Sequence, residues 1–498
     1  MHSKERVSRE SLECRIIMPS KKKTYKIGLV DADLLCNGTR HPNLALLKLA
    51  GYFRDNGFVR QTTHSDTKGV STYELLTNKS NFEQLHNLDH IYVSCVFSFT
   101  LDDPPLLLTT LMSDKRLKRK VHMGGTGSYA NLSVENGFAE KREEDMHRLE
   151  NDVFLNKFEN KSGTKGIDMR TQMPDYHLYD EFVSVMENVK SSAKYYKDYK
   201  EYSIGFLTRG CFRRCPFCVN KLERKAMPYS NLNDFLDQER DEKGRLLRPY
   251  IYLWDDNFLA SPYWEPLLDE LIATGRPFQF RQGLDERLLA QNRRGEDMAR
   301  KLANANYHGD FIFAFDNWFD RKLIEKALKI WKYHCPKKET KFYLFCGFQQ
   351  TPADDKKFQL DIAQIFMRIC VLMRYGCLGY IMRHEDYKKA PLANIYVQIA
   401  RWCNQPGFYR NLSFWEYCYK NQTYWEEHTL GIKHDRLKSY EEFLEDLHNG
   451  YYDDKKICLT LKTCHDFLES HKAHKKTFLS FFNMSFKKMI DSALWSRE

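Results

Sequence analysis

Between Tyr202 and Arg383 short apolar runs alternate with helix-patterned stretches, and that alternation restricts the chain to few folds. The runs are YSIGFLT (202–208), PYIYLWDD (249–256), PFQFRQG (277–283), GDFIFAFD (309–316), KFYLFCGF (341–348) and CLGYIMR (377–383). Each is rich in β-branched and aromatic residues and bounded by turn residues, as a buried strand is. Between them EPLLDELIATG (265–275) and RKLIEKALKIW (321–331) carry apolar residues at helical spacing. Six such βα units at about 30-residue spacing predict an α/β fold, with a partial parallel (βα)6 barrel over residues 201–385.

A second alternation precedes this one. KIGLVDADLL (26–35) reads as a buried strand, and HPNLALLKLAGYFRDNG as a helix that stops at Gly57. STYELLTN (71–78), DHIYVSCVFSFT (89–100) and KRKVHMGGTGSY (118–129) are further strand candidates. Residues 25–150 therefore predict a small Rossmann-like domain. Residues 1–24 are polar and basic, a flexible tail. Residues 151–200 are charged and irregular, and read as a linker laid over the next domain. Residues 386–498 read as mainly helical, ending in an amphipathic LSFFNMSFKKMI (479–490) that suits a packed terminal helix.

The chemistry concentrates in TRGCFRRCPFCVN (208–220), where Cys211, Cys215 and Cys218 follow the first of the six runs. No stretch is apolar enough to span a membrane, and the N-terminus has no apolar core of a secretory signal. The expected compartment is the cytoplasm, where the 14 cysteines stay reduced and a cluster of them reads as metal ligands. Zinc sites usually close with a fourth Cys or His, and none lies within ten residues on either side. A [4Fe–4S] cluster takes one thiolate per iron, so three leave one iron open. Zinc, or a loop holding no metal, are the alternatives. Arg209, Arg213 and Arg214 beside the thiols would lower their pKa values, and Phe212, Pro216 and Phe217 would keep water away.

This loop, in its place after a strand and ahead of further βα units, resembles the radical S-adenosylmethionine superfamily. LVDADLL, HPNLALLKLAGY, VHMGGTGSY, MPDYHLYD, GFLTRGCFRRCPFC and RQGLDERLL resemble a subgroup with a cobalamin-binding-like domain ahead of the radical SAM barrel and no assigned substrate. The likeness spans roughly residues 25–420. It implies that Cys211, Cys215 and Cys218 bind a [4Fe–4S] cluster whose open iron chelates S-adenosylmethionine. Reductive cleavage then yields a 5′-deoxyadenosyl radical that abstracts hydrogen from an unknown substrate, with methyl transfer among the outcomes. A reductant such as flavodoxin or ferredoxin is the implied electron donor.

The resemblance also implies cofactor-binding positions. Phe217 stands where a backbone meets the adenine. Asp255 and Asp256 stand where the methionine ammonium is held, although two aspartates after a strand also suit a helix N-cap. Arg281, Gln282 and Asp285 stand where ribose or carboxylate contacts fall, with an Arg281–Asp285 salt bridge as the alternative. Gly347, with Gln349, ends the fifth strand near the adenine.

Cobalamin itself is less well supported. Residues 1–150 lack Asp-x-His-x-x-Gly, and His41 reads as a loop or capping residue. The Gly124-Gly125-Thr126-Gly127 turn suits either a phosphate or a plain tight turn. A net charge of +10 and the run Lys115, Arg116, Lys118, Arg119, Lys120 suit a nucleic-acid substrate, tRNA included, or a solvated helix face. Cys14, Cys36 and Cys95 suit buried thiols better than a second cluster, and so do Cys370, Cys377, Cys458 and Cys464. A non-catalytic iron–sulfur or zinc module is the reading from a different class.

Overall fold

The computed structural model describes residues 23–491 and 494, apart from 38–40, 64, 66, 79, 98, 130–137, 190–195, 221, 454 and 455. Most of the basic tail, with Cys14, lies outside the described residues.

The first unit is a parallel sheet of β1 (Lys26–Asp31), β2 (Val59–Arg60), β3 (Thr72–Leu76), β4 (His90–Ser94) and β5 (Val121–Gly124). Its order is β2-β3-β1-β4-β5, which puts β1 at the centre between β3 and β4. Alternate residues of β1 feed opposite faces. Ile27 and Leu29 pack with Leu46, Tyr52 and Phe53 of the helix Leu44–Asp55. Val30 packs with Leu107, Leu108 and Leu111 of the helix Leu106–Ser113 on the other side. Asn43 caps the first of these helices by accepting the Leu46 N–H. The strand read over 26–35 ends at Asp31, because the Asp31 carboxylate accepts the Leu34 N–H at 3.2 Å and the chain turns into the helix Ala32–Asn37.

Asp31 is buried, and burial pushes its carboxyl up to about 7 even though the Tyr179 hydroxyl donates to it. The folded chain therefore holds this proton more tightly than the unfolded chain. The stability contributed by this group is full below about pH 4 and is lost as pH rises toward about 7. Asp31→Asn is expected to remove that slope, so its urea midpoint should climb relative to the native chain between pH 4 and 7. Parallel curves would refute the assignment.

Residues 151–200 do more than link. Phe154, Leu155, Ile167, Tyr176, Tyr179 and Tyr199 are buried in the same core as Ile27 and Leu29. Their backbone lies so close to the helix below that a Cβ on Gly51 would sit 2.0 Å from the Met173 carbonyl oxygen. Tyr176 also ties the units together, donating to the Phe235 carbonyl at 2.8 Å and accepting the Ile204 N–H at 2.7 Å. The described part of the stretch is thus an outer layer of the first unit, part loop and part the helices Asp180–Val189 and Lys197–Lys200, its buried rings spaced among charges.

The second unit carries β6 (Tyr202–Gly205), β7 (Thr208–Arg209), β8 (Met227–Pro228), β9 (Tyr250–Leu253), β10 (Phe278–Phe280), β11 (Phe311–Ala314), β12 (Thr340–Cys346) and β13 (Leu378–Arg383). β10-β9-β6 and β11-β12-β13 are two parallel three-stranded sheets. Parallel bridges Phe278↔Tyr307 and Leu284↔Phe313 connect them. β7 and β8 form an antiparallel ribbon. Helices Trp264–Ala273 and Arg321–His334 pack their apolar faces on this core.

The C-terminal region is helical and continues the same core. Helices Asn394–Cys403, Phe414–Leu430, Tyr440–His448, Leu459–Ser470 and Lys475–Phe482 contribute Trp402, Trp415, Phe443, Phe467 and Phe482 to it. Ser413 and Ser439 start two of them with capping boxes to Glu416 and Glu442. The terminal amphipathic stretch is packed through Phe482, Met484 and Phe486. The run Lys115–Lys118 forms an exposed helical turn. Among the described residues no helix is long and apolar enough to cross a membrane.

Candidate metal centre

The cysteine loop hangs from the C-terminal end of β6 and is closed at its base by the β7–β8 ribbon, Thr208↔Pro228 and Arg209↔Met227. Gly210 makes that closure fit. Its φ is +99°, and a Cβ there would lie 2.1 Å from the Lys225 carbonyl oxygen. The Cys211 N–H donates across the loop to the Glu223 carbonyl at 3.0 Å.

Three consecutive residues after β9 fasten this loop. Asp255 is buried and accepts from Leu207 N (3.2 Å), Thr208 N (2.6 Å) and Thr208 Oγ1 (2.7 Å). Asp256 accepts from Gly210 N at 2.8 Å and Asn220 Nδ2 at 3.2 Å, and pairs with Arg209 at 3.4 Å. Asn257 Nδ2 donates to Cys211 Sγ at 3.3 Å and to Asp285 Oδ2 at 3.1 Å. The two aspartates are therefore neither helix caps nor free acceptors for an ammonium. Burial pushes the Asp255 carboxyl up to about 7, against the pull of Thr208 and the Leu207 amide.

The sulfurs are partly solvated by the protein itself. Arg213 N donates to Cys211 Sγ and Asn220 N to Cys218 Sγ, both at 3.4 Å. Such N–H···S contacts stabilise thiolates and tune an iron–sulfur cluster. Burial pushes the Cys215 thiol up to about 11, with Asp316 and Cys218 adding to it and Arg287 opposing. The expected lowering by three arginines is absent at Cys215, because their charges go elsewhere. Arg209 pairs with Asp256 and lies over Phe206, Arg213 pairs with Asp285, and Arg214 is exposed.

Asp285 is buried between two guanidiniums, 2.8 Å from Arg213 Nε and 2.6 Å from Arg287 Nε. Burial raises its pKa, but Arg287 and Arg213 outweigh it and hold the carboxyl below the usual range. The alternative Arg281–Asp285 salt bridge does not form. Arg281 instead donates to His41 Nε2 at 3.0 Å and to Gln279 Oε1 at 3.1 Å, and lies over the Tyr252 ring. Arginine only donates, so His41 keeps its proton on Nδ1, 2.5 Å from Asp198. His41, read as a loop residue, thus joins the first unit to the end of β10. Gln282 is exposed.

Phe217 stacks on Phe345 with centroids 3.7 Å apart. Gly347 has φ +76° and its close neighbour is the Tyr387 side chain, where a Cβ would lie 2.6 Å away. Gln349 also has positive φ, +53°. Sequence reading placed Asn257 at the strand end without a role and missed Arg287, Glu223 and Asp316. Asn257 had a visible signal, a third polar residue in sequence after the strand, whereas the others meet the loop only through tertiary folding.

Among the described residues no three His, Cys, Asp or Glu side chains are gathered to hold one metal ion. The glycine turn of the first unit does not fit an anionic cofactor tail. A Cβ on Gly125 would strike the Cys95 carbonyl oxygen at 2.2 Å, so the protein's own backbone fills the close approach. The Gly125 N–H already donates to the Asp145 carboxylate at 3.0 Å, which a phosphate would have to displace. Cys95, Cys377 and Cys464 are buried thiols and Cys370 and Cys458 half-buried ones. Comparison with known proteins finds no family model that matches the chain and no matching curated protein.

Proposed function

We propose that the protein is a radical S-adenosylmethionine enzyme in which Cys211, Cys215 and Cys218 hold a [4Fe–4S] cluster. The observation that carries this reading is the loop's fastening: three thiols follow the first parallel strand of the second unit and are pinned by Asp255, Asp256 and Asn257 of the next. Ends of parallel strands are where α/β folds build their sites. The two linked triplets of strands support a partial (βα)6 barrel, and the order β2-β3-β1-β4-β5 supports a Rossmann-like first domain.

The donor set fits the group. A cluster offers each thiolate its own iron, so the thiols need not converge on one point as zinc ligands must. When bound, such a cluster supplies the electron that breaks the sulfonium C–S bond of S-adenosylmethionine and releases a 5′-deoxyadenosyl radical. The chain's own part is positional. Asn257 and the Arg213 amide orient Cys211, the Asn220 amide orients Cys218, and Phe217 on Phe345 walls the loop. Asp255, Asp256 and Asp285 are committed to protein partners. Gln282 is exposed at the end of β10 and open to a carboxylate or ribose, while Arg281 beside it is shared with His41 and Gln279. A flavodoxin- or ferredoxin-type reductant is the proposed electron donor.

The test is anaerobic. The chain is reconstituted with iron and sulfide, reduced, mixed with S-adenosylmethionine and assayed for 5′-deoxyadenosine beside Cys215→Ala. Deoxyadenosine from the native chain, and background from the variant, is the expected result. A stable cluster that never cleaves S-adenosylmethionine would favour a binding module. Failure to take up iron would overturn the reading and leave zinc.

A further inference from the structure

A second group of metal-ligating side chains lies on the first sheet, away from the cysteine loop. The β4–β5 register sets Tyr92 beside His122, so both side chains share one face. His90 lies two residues before Tyr92 on β4 and joins that face. His90 Nδ1 is 3.1 Å from His122 Nε2, and His122 Nδ1 is 2.8 Å from Asp152 Oδ2. Asp152 is itself fixed, accepting from Phe154 N (2.8 Å), Leu155 N (3.1 Å) and Tyr92 OH (3.2 Å). The rings are clamped as well. Phe154 stacks on His90 at 4.0 Å and Tyr92 on His122 at 4.6 Å.

The carboxylate decides the tautomer. Asp152 accepts a hydrogen bond from His122 Nδ1–H, which leaves the Nε2 lone pair facing His90. His90 Nδ1 is 3.1 Å from that nitrogen and presents its own lone pair once the ring proton sits on Nε2. An imidazole oriented by an outer carboxylate is the arrangement of histidine metal ligands. Of the charged neighbours of His90, Asp89 favours a cation and Lys157 opposes one.

We propose that His90 Nδ1 and His122 Nε2 form a two-histidine site for a divalent d-block cation such as Zn²⁺, with Asp152 as the outer carboxylate. With metal–nitrogen bonds of about 2.0–2.1 Å, the 3.1 Å separation subtends about 95–100° at the metal. That lies between the octahedral and tetrahedral angles, and each ring would tilt off the N···N line to aim its lone pair at the metal. His122 is 26% exposed, which leaves room for water to complete the shell. The cation would replace the single proton shared between the rings and would pin the Asp152–Phe158 segment to the sheet. This site is independent of the function proposed for the cysteine loop.

Free thiols of the cysteine loop would compete for zinc, so Zn²⁺ is titrated into the full chain carrying Cys211→Ala, Cys215→Ala and Cys218→Ala. The expected result is one histidine-dependent Zn²⁺ per chain, with two imidazoles in its X-ray absorption spectrum. Adding His90→Gln or His122→Gln should abolish it, and Asp152→Asn should weaken it about 10- to 100-fold. His90→Gln at the strand end guards against misfolding, checked by circular dichroism. Equal zinc uptake with and without His90→Gln, or a spectrum lacking imidazole, would overturn the proposal.

Discussion

Asp285→Ala is expected to destabilise the protein by about 3–5 kcal/mol, the cost of removing one partner from a buried ion pair. The carboxylate is 6% exposed and serves Arg213 and Arg287 together, whose side chains are 20% and 15% exposed. Without it, two guanidiniums share a largely buried space in which the close carboxylate is Asp320, which already accepts from Arg287 at 2.8 Å, with Glu286 and Asp316 further off. Asn257 loses an acceptor too, and with it the restraint that aims its Nδ2 at Cys211. Urea denaturation of Asp285→Ala, Arg213→Met and the double variant measures the coupling. The double variant should recover part of the loss, since it removes one of the stranded charges. A loss under about 1 kcal/mol for Asp285→Ala would mean that water reaches the network and that it is no buried anchor.

Gly210→Ala should act locally and severely. At φ +99° an alanine is strained, and its Cβ would meet the Lys225 carbonyl oxygen at 2.1 Å. The backbone term alone costs about 1–2 kcal/mol. The clash adds to it, and the neighbour is main chain that cannot swing away. The cheapest relief is to open the β7–β8 ribbon, which would carry Cys211 from Asn257. Iron bound per chain after reconstitution should therefore fall toward background, while far-ultraviolet circular dichroism stays native. Gly244→Ala is the control: its φ is +75° but nothing lies within 4 Å of the added carbon. That variant should keep its iron. Native iron content in Gly210→Ala would sink the claim that this closure shapes the cysteine loop.

How much of this was legible depended on range. The six strands of the two parallel triplets matched the apolar runs read for them, β12 starting one residue earlier at Thr340, because a buried parallel strand is nearly continuous in hydrophobic residues. The two-residue β2 was missed, being too short to show any period. The layer over 151–200 was missed because its buried Tyr and Phe sit in irregular backbone among charged residues. At the site, the polar residues after β9 were found, yet their partners were not. Which way a loop folds back over a strand end is a tertiary fact, and Asp255 and Asp256 turned out to face backbone amides. The Arg281–His41 contact joins residues 240 positions apart, beyond any local pattern.

The division of the second unit into two triplets has a consequence for how the chain emerges from the ribosome. β6, β9 and β10 pair with one another within residues 202–280, and β11, β12 and β13 within 311–383. Each triplet is contiguous, and few bridges join them. The first triplet has all its pairing partners before the second has been translated, and domains generally form in that order. Asp255, Asp256 and Asn257 arrive with β9, so the cysteine loop acquires most of its fastening on the nascent chain. Once β10 and Asp285 have cleared the ribosome, the three thiols are already fastened, before the helical C-terminal region is made.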